Sequence, residues 1–320
     1  MRTLVQRLLG LSAVGALTVA LVNPIAAQNP RNPREGQDAD AAREAEDELD
    51  RLLRRFGPEA EALKGQIDQA IERGIAYLAA QQKPDGSWDN YPTQYAMGGT
   101  SLCALALKKS VVGLYEGTER DLSREISRLE GRERSNRLTD EERGRLIYLR
   151  ARGAEDIRKR AEILPKVDRA VEWVRRRYNQ IKSSPPVLYP DGSQGPPFKV
   201  YDIGVVLMLL EAHHTRSITE RNGTSRVGVD PGQIARSDND WVREMVNWLA
   251  RVLVRPQQSG QNWEGRGWRY PGPAQDGATV DISNTQYAIL GLKAASRMGI
   301  RITDANVWRD FVRYMLPLQD

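Results

Sequence analysis

The sequence predicts an all-α protein assembled from repeated helix pairs, and three observations carry the prediction. Apolar residues recur at i, i+3, i+4 and i+7 in several windows. Each window leads into a Gly-containing turn, and each turn leads into a helix-length run that is apolar on all sides.

The chain has 320 residues, enough for one large or two ordinary domains. Residues 1–27 read as a signal peptide: Arg2 and Arg7 precede the apolar run Leu8 to Val22, and Ala27 is a suitable last residue before cleavage. The run is short for a membrane span, so the expected location is exported, periplasmic or extracellular, with a retained signal anchor as the alternative. No other segment reads as a span. Residues 28–64 read as a polar leader with one short helix, on which Leu49, Leu52, Leu53 and Phe56 share a face.

Residues 65–320 hold the repeats. The first amphipathic helix runs from about Gln66 to Gln82, with Ile67, Ile71, Ile75 and Leu78 on one stripe, and the apolar helix Gly98 to Ser110 follows it. The second pair is Lys166 to Asn179 followed by Tyr201 to Ala212. The third is Asn239 to Val254, carrying Trp241, Met245, Trp248, Leu249 and Val252, followed by Ser283 to Ala295. A fourth amphipathic segment bears Val307, Phe311, Tyr314 and Met315. The apolar helices align with Thr100, Asp202 and Thr285 in register. The tetrapeptide TQYA of the third helix also stands at Thr93 to Ala96, but aligning on it puts the first apolar helix out of phase, so the match is taken as accidental.

Two insertions stretch the repeat. Residues 114–164 are charge-rich: from Glu116 to Glu162, 13 basic and 12 acidic residues interleave. Leu122, Ile126 and Leu129 form one stripe, and Thr139 with Glu142 has capping-box spacing, so a projecting helical hairpin is expected, either a docking arm for a protein partner or a solvated spacer. Residues 215–237 read as a polar loop. Formal charge is +5 and falls to +3 without Arg2 and Arg7, and the basic residues form no stripe, so no nucleic-acid partner is expected. Cys103, the single cysteine, sits in an apolar run and reads as a buried, inert thiol.

The sequence PDGS closes the first amphipathic helix with Trp88 behind it and recurs after the second with Gln194 in the tryptophan's place. A glycine after aspartate lets the chain reverse through a positive φ, and the indole then covers the end of the pair. The segment Arg73 to Trp88, with Gln82, Gly86 and Trp88 in order, resembles the Gln-Trp repeat motif of terpenoid cyclases, whose fold is the α/α toroid shared with protein prenyltransferase β subunits. The stretches DISNTQYAILGLKAA and GWRYPG are similar to exported bacterial proteins carrying prenyltransferase and squalene-oxidase repeats. The resemblance implies a ring of amphipathic outer helices around apolar inner helices, here a partial one.

The resemblance also implies chemistry for which the residues are not in place. Polyene cyclases protonate an alkene with an Asp-x-Asp-Asp acid, and ionising synthases hold magnesium on Asp-rich motifs, whereas this chain has no Asp-Asp dipeptide. Prenyltransferases bind zinc through Asp, Cys and His. Here Cys103 and the only histidines fall in different repeats, and His213 and His214 point roughly 100° apart on a helix, so neither a metal nor another cofactor is expected.

The candidates left are polar and aromatic groups at the starts of the apolar helices: Tyr201, Asp202, Asp281, Gln286 and Tyr287, with Trp268 and Tyr270 on the preceding loop. Asp202 and Asp281 are placed to cap helices, and ligand contact does not exclude that role. The expected function is a binding or scaffold module. The alternatives are an isoprenoid-handling enzyme, or a glycan-active enzyme using Asp202 and Asp281 as acids.

Overall fold

The computed structural model describes residues 58–88, 95–189, 193–219, 225–253, 266–269, 280–302, 304 and 306–316. The signal and leader up to residue 57, and Tyr270, lie outside the described residues. Eight α-helices are described: α1 (Pro58–Gln81), α2 (Ala96–Val111), α3 (Gly117–Arg134), α4 (Asp140–Lys182), α5 (Val200–His214), α6 (Arg236–Arg251), α7 (Ile282–Arg297) and α8 (Asn306–Met315). The protein is predominantly helical, as expected. Two small antiparallel ribbons were not expected. One pairs Val187–Leu188 with Gln194–Gly195 in the second joint, and the other pairs Arg216–Thr219 with Ser225–Gly228 inside the loop insertion.

The apolar helices α2, α5 and α7 lie side by side, with α5 between the other two. Near their N-terminal ends Asp202 accepts from the Gly98 N–H, and near their C-terminal ends Glu211 meets both Lys109 and Arg297 at 3.4 Å, so all three run parallel. The α5–α7 contact is backbone on backbone: a Cβ on Gly204 would fall 2.4 Å from the Tyr287 carbonyl oxygen, and one on Gly291 would fall 2.8 Å from the Gly204 Cα. Glycine is required on both sides of that crossing. The apolar faces of amphipathic helices complete one core with this layer, through Val167, Val171 and Val174 from α4, Met245 and Leu249 from α6, and Val307 and Phe311 from α8.

Three helix boundaries differ from expectation. The first amphipathic helix begins at Pro58, where proline occupies the opening position it tolerates best, so it takes in residues assigned to the leader. Helix α2 passes through a π turn at Val112–Glu116 directly into α3, and the extra residue in that turn re-aims the helix face. The hairpin's second arm and the second amphipathic helix are one 43-residue helix, α4, which continues through Pro165. Its buried residues explain why. Leu146 and Leu149 in the arm, then Ile163, Val167, Ala170, Val171, Val174 and Tyr178 in the body, lie on one side of the helix, with the buried Asp156 between the two groups. Burying that face outweighs the roughly 3 kcal/mol that an interior proline costs a helix.

The hairpin has its own small core of Ile126, Leu129, Leu138, Leu146 and Leu149. Its α4 arm opens with the expected capping box: the Glu142 N–H donates to Thr139 Oγ1, and Glu142 accepts from the Thr139 N–H at 3.0 Å. Cross-arm ion pairs flank the core, Arg145 to Glu125 at 2.6 Å and Arg150 to Glu130 at 2.9 Å and Glu133 at 3.0 Å.

The joints explain the repeated turn. Gly86 has φ +98°, and a Cβ there would fall 2.4 Å from the Arg169 carbonyl oxygen of α4. Gln82 donates both to the Gly86 carbonyl at 3.0 Å and to the Lys166 carbonyl at 2.8 Å, fastening the turn to the next amphipathic helix. Trp88, buried, donates its indole N–H to the Leu78 carbonyl at 2.9 Å. In the second joint the missing indole is replaced by Phe198, stacked on Tyr178 at 4.5 Å, and by Tyr189, which accepts from the Trp248 indole at 2.8 Å. In the third joint Trp268 repeats the first arrangement, donating to the Leu249 carbonyl at 2.9 Å.

Candidate functional site

The N-terminal ends of the three parallel apolar helices form the candidate site. Tyr201 and Asp202 lie in the first turn of α5, because Lys199 is its N-cap residue and makes no side-chain cap. Asp202 therefore does not cap its own helix. Its Oδ1 accepts at 3.0 Å from the Gly98 N–H in the first turn of α2, satisfying an otherwise orphaned donor of the neighbouring helix. Only glycine fits at position 98, since a Cβ would fall 2.3 Å from that carboxylate oxygen and 2.6 Å from the Tyr201 ring.

Asp202 is 2% exposed. Burial pushes its carboxyl up from the usual aspartate range to about 7, against the Gly98 N–H, Lys199 and Arg177, which all favour the anion. The carboxyl thus titrates near neutrality in a mostly aromatic setting. The Tyr201 ring meets Tyr287 edge-on at 4.7 Å and Tyr95 edge-on at 6.4 Å, and Lys199 Nζ sits 4.1 Å from the centre of the Tyr95 ring. The geometry can hold a proton on Asp202 and present tyrosine edges and faces to a cation or a flat group.

Of the residues nominated from sequence, the structure brings Tyr201, Asp202 and Tyr287 together and places the others elsewhere. Gln286 is exposed on the adjoining surface of α7. Asp281 is the N-cap of α7, accepting from the Asn284 N–H at 2.7 Å, from the Asn284 side chain at 3.0 Å and from the Ser283 hydroxyl. These hydrogen bonds outweigh burial and hold the Asp281 carboxyl below its usual range. Trp268 is fully buried, with its backbone N–H donated to Thr285 Oγ1 at 3.0 Å and its indole to the Leu249 carbonyl, so it is a joint cap rather than a platform. Tyr95 and Lys199 were missed from sequence. The signal was the TQYA tetrapeptide set aside as accidental: its two tyrosines, Tyr95 and Tyr287, flank Tyr201 from α2 and α7.

The opposite end of the apolar layer carries a polar cluster around the two histidines. His213 Nε2 lies 3.0 Å from Asp168 on α4, and His214 Nε2 lies 3.1 Å from Asp238 on α6, close but not aligned for a hydrogen bond. Asp238 is held on its other oxygen by Arg175, whose guanidinium lies 4.6 Å from the centre of the Trp241 ring. Burial, and then the neighbouring His213, push the His214 imidazole below its ordinary range. Among the described residues no group of three or more His, Cys, Asp or Glu has the geometry to hold a metal ion. Cys103 is buried, and burial raises its thiol to about 11, as an inert thiol requires.

Among the described residues no helix is long and apolar enough to cross a membrane. Compared with known proteins, the chain matches no family model, no curated protein and no solved structure.

Proposed function

We propose that the chain is an exported helical-repeat binding module, an arc of the α/α-toroid type in which α2, α5 and α7 form the inner layer. The reading rests on how the two nominated carboxylates are used. Asp202 is engaged by the N–H of a neighbouring helix, and Asp281 is saturated by the start of its own. A glycosidase needs one carboxyl free to protonate a leaving group and a second facing the same bond. A polyene cyclase needs an acid strengthened below the usual range, whereas Asp202 is weakened to about 7. Both carboxyls serve the fold, and the surface beside them is left for binding through Tyr201, Tyr287 and Gln286. The binding candidates remain those of the sequence, an isoprenoid or a glycan.

The test is melting of the purified chain with a polyprenyl phosphate and, separately, with soluble glycans, alongside product analysis for both. The expected outcome is a shift with one class that Tyr287→Ala removes, without turnover. Product formation by the wild type that Asp202→Asn abolishes would overturn the binding-module reading in favour of an enzyme.

A further inference from the structure

Helix α4 has a second face that none of the described residues covers. Its buried residues, Leu146, Leu149, Asp156 and Ile163, lie on one side. At roughly 100° per residue the opposite side carries Asp140, Gly144, Ile147, Tyr148, Ala151, Ala154, Glu155 and Arg158. Ile147 is 68% and Tyr148 60% exposed, and with Gly144, Ala151 and Ala154 they leave a shallow apolar seam about three turns long. A helix standing in water has no reason to be apolar on both faces.

The charges along the seam state what fits it. Elsewhere the hairpin pairs its charges internally, as Glu125, Glu130 and Glu133 do with Arg145 and Arg150. Asp140, Arg143 and Arg158 have no ion-pair partner among the described residues, and Glu155 meets Lys159 one turn on at 3.2 Å; Asp140 and Arg143 stand at the N-terminal end of the seam, Glu155 and Arg158 at its C-terminal end. Laid antiparallel on a copy of itself about a twofold axis near Leu149, the helix sets Asp140 opposite the second copy's Arg158 and Arg143 opposite its Glu155. In the same register Ile147 meets Ala151, and Gly144 meets Ala154. A twofold axis doubles each pair, so one register satisfies the seam and both charged ends at once. Parallel pairing puts like charges side by side.

We propose that this seam is a self-association surface, on which α4 of a second copy of the chain packs antiparallel over residues 140–158. Two helices of this length bury an area at the small end of specific interfaces, so the dimer is reversible and salt-sensitive.

Sedimentation velocity of the full chain over a wide concentration range reads the outcome, starting from a 36.0 kDa monomer. The expected result is concentration-dependent doubling of mass that Ile147→Glu with Tyr148→Glu abolishes while circular dichroism stays unchanged, since both side chains are exposed. Arg158→Asp weakens association about tenfold, from two exposed ion pairs turned to repulsion. Adding Asp140→Arg to that variant restores it, because the exchanged charges still face each other. A wild type that stays monomeric throughout, a dimer indifferent to the seam variants, or a failure of the charge exchange to rescue would each overturn the proposal, leaving the seam to another protein or to solvent.

Discussion

Replacing Asp202 by asparagine separates a carboxyl that serves the fold as a neutral group from one held as an anion. In the native state its titration stands at about 7 against 3.8 for an ordinary aspartate, roughly three units. At about 1.4 kcal/mol per unit, ionising it inside the fold costs about 4 kcal/mol. That figure is already net of the Gly98 N–H at the start of α2 and of Lys199 and Arg177, and as an order of magnitude about 2–4 kcal/mol is the working penalty. The sign follows from proton counting. Between about pH 4 and pH 7 the native protein holds a proton on Asp202 that the unfolded chain has lost, so wild-type stability falls as pH rises through that window and is level outside it. Asparagine keeps the oxygen that accepts from the Gly98 N–H and cannot ionise. Denaturant melts at pH 4 and pH 8 should therefore show Asp202→Asn close to wild type at the lower pH and more stable by about 2–4 kcal/mol at the higher. Asp202→Ala, which orphans the Gly98 donor, should lose about 1–3 kcal/mol at pH 4. An asparagine variant less stable than wild type at both pH values would refute the reasoning, since the carboxylate would then be an anion stabilised by the helix ends.

The His214 imidazole gives a pH dependence of opposite sign. Burial holds it neutral, so its contribution is present above pH 6.5 and is lost as the pH falls below that value, and His214→Gln should flatten the acid limb of a stability profile measured between pH 5 and 8. Trp88→Ala removes a buried indole and its bond to the Leu78 carbonyl and should cost about 3–5 kcal/mol in a denaturant titration. Gln82→Ala releases the turn from the Lys166 carbonyl and should cost about 1–3 kcal/mol in the same assay. Gly204→Ala drives a methyl into the Tyr287 carbonyl and should destabilise by at least about 1–3 kcal/mol, with near-ultraviolet dichroism reporting disturbance of the Tyr201–Tyr287 contact. A tolerated alanine there would mean that α5 and α7 are free to separate.

Helix period was legible because it is local. Within the described residues the expected amphipathic and apolar helices of the repeats are present, since the spacing of Val167, Val171 and Val174, or of Met245 and Leu249, states which side must be buried whatever it is buried against. The joint was legible for the same reason, because a glycine at positive φ followed by an indole is a property of a few consecutive residues. The boundary between hairpin and body was not. The insertion ending at residue 164 and the amphipathic helix from Lys166 read as separate segments, and only one buried side running past the boundary keeps them as a single helix.

The site divides along the same line. Sequence alone determined that Asp281 caps α7, since cap and capped N–H are three residues apart. It also nominated Tyr201, Asp202 and Tyr287. Tertiary structure decided that Asp202 serves α2 across a sequence separation of 104, that Trp268 is a buried joint, and that Tyr95 and Tyr287 close on Tyr201 from two sides. The physical reason is the range of the interactions. Periodicity and capping are set within a few residues of the chain, whereas the partner of a buried carboxyl is whichever helix end the packing of α2 on α5 leaves without an acceptor.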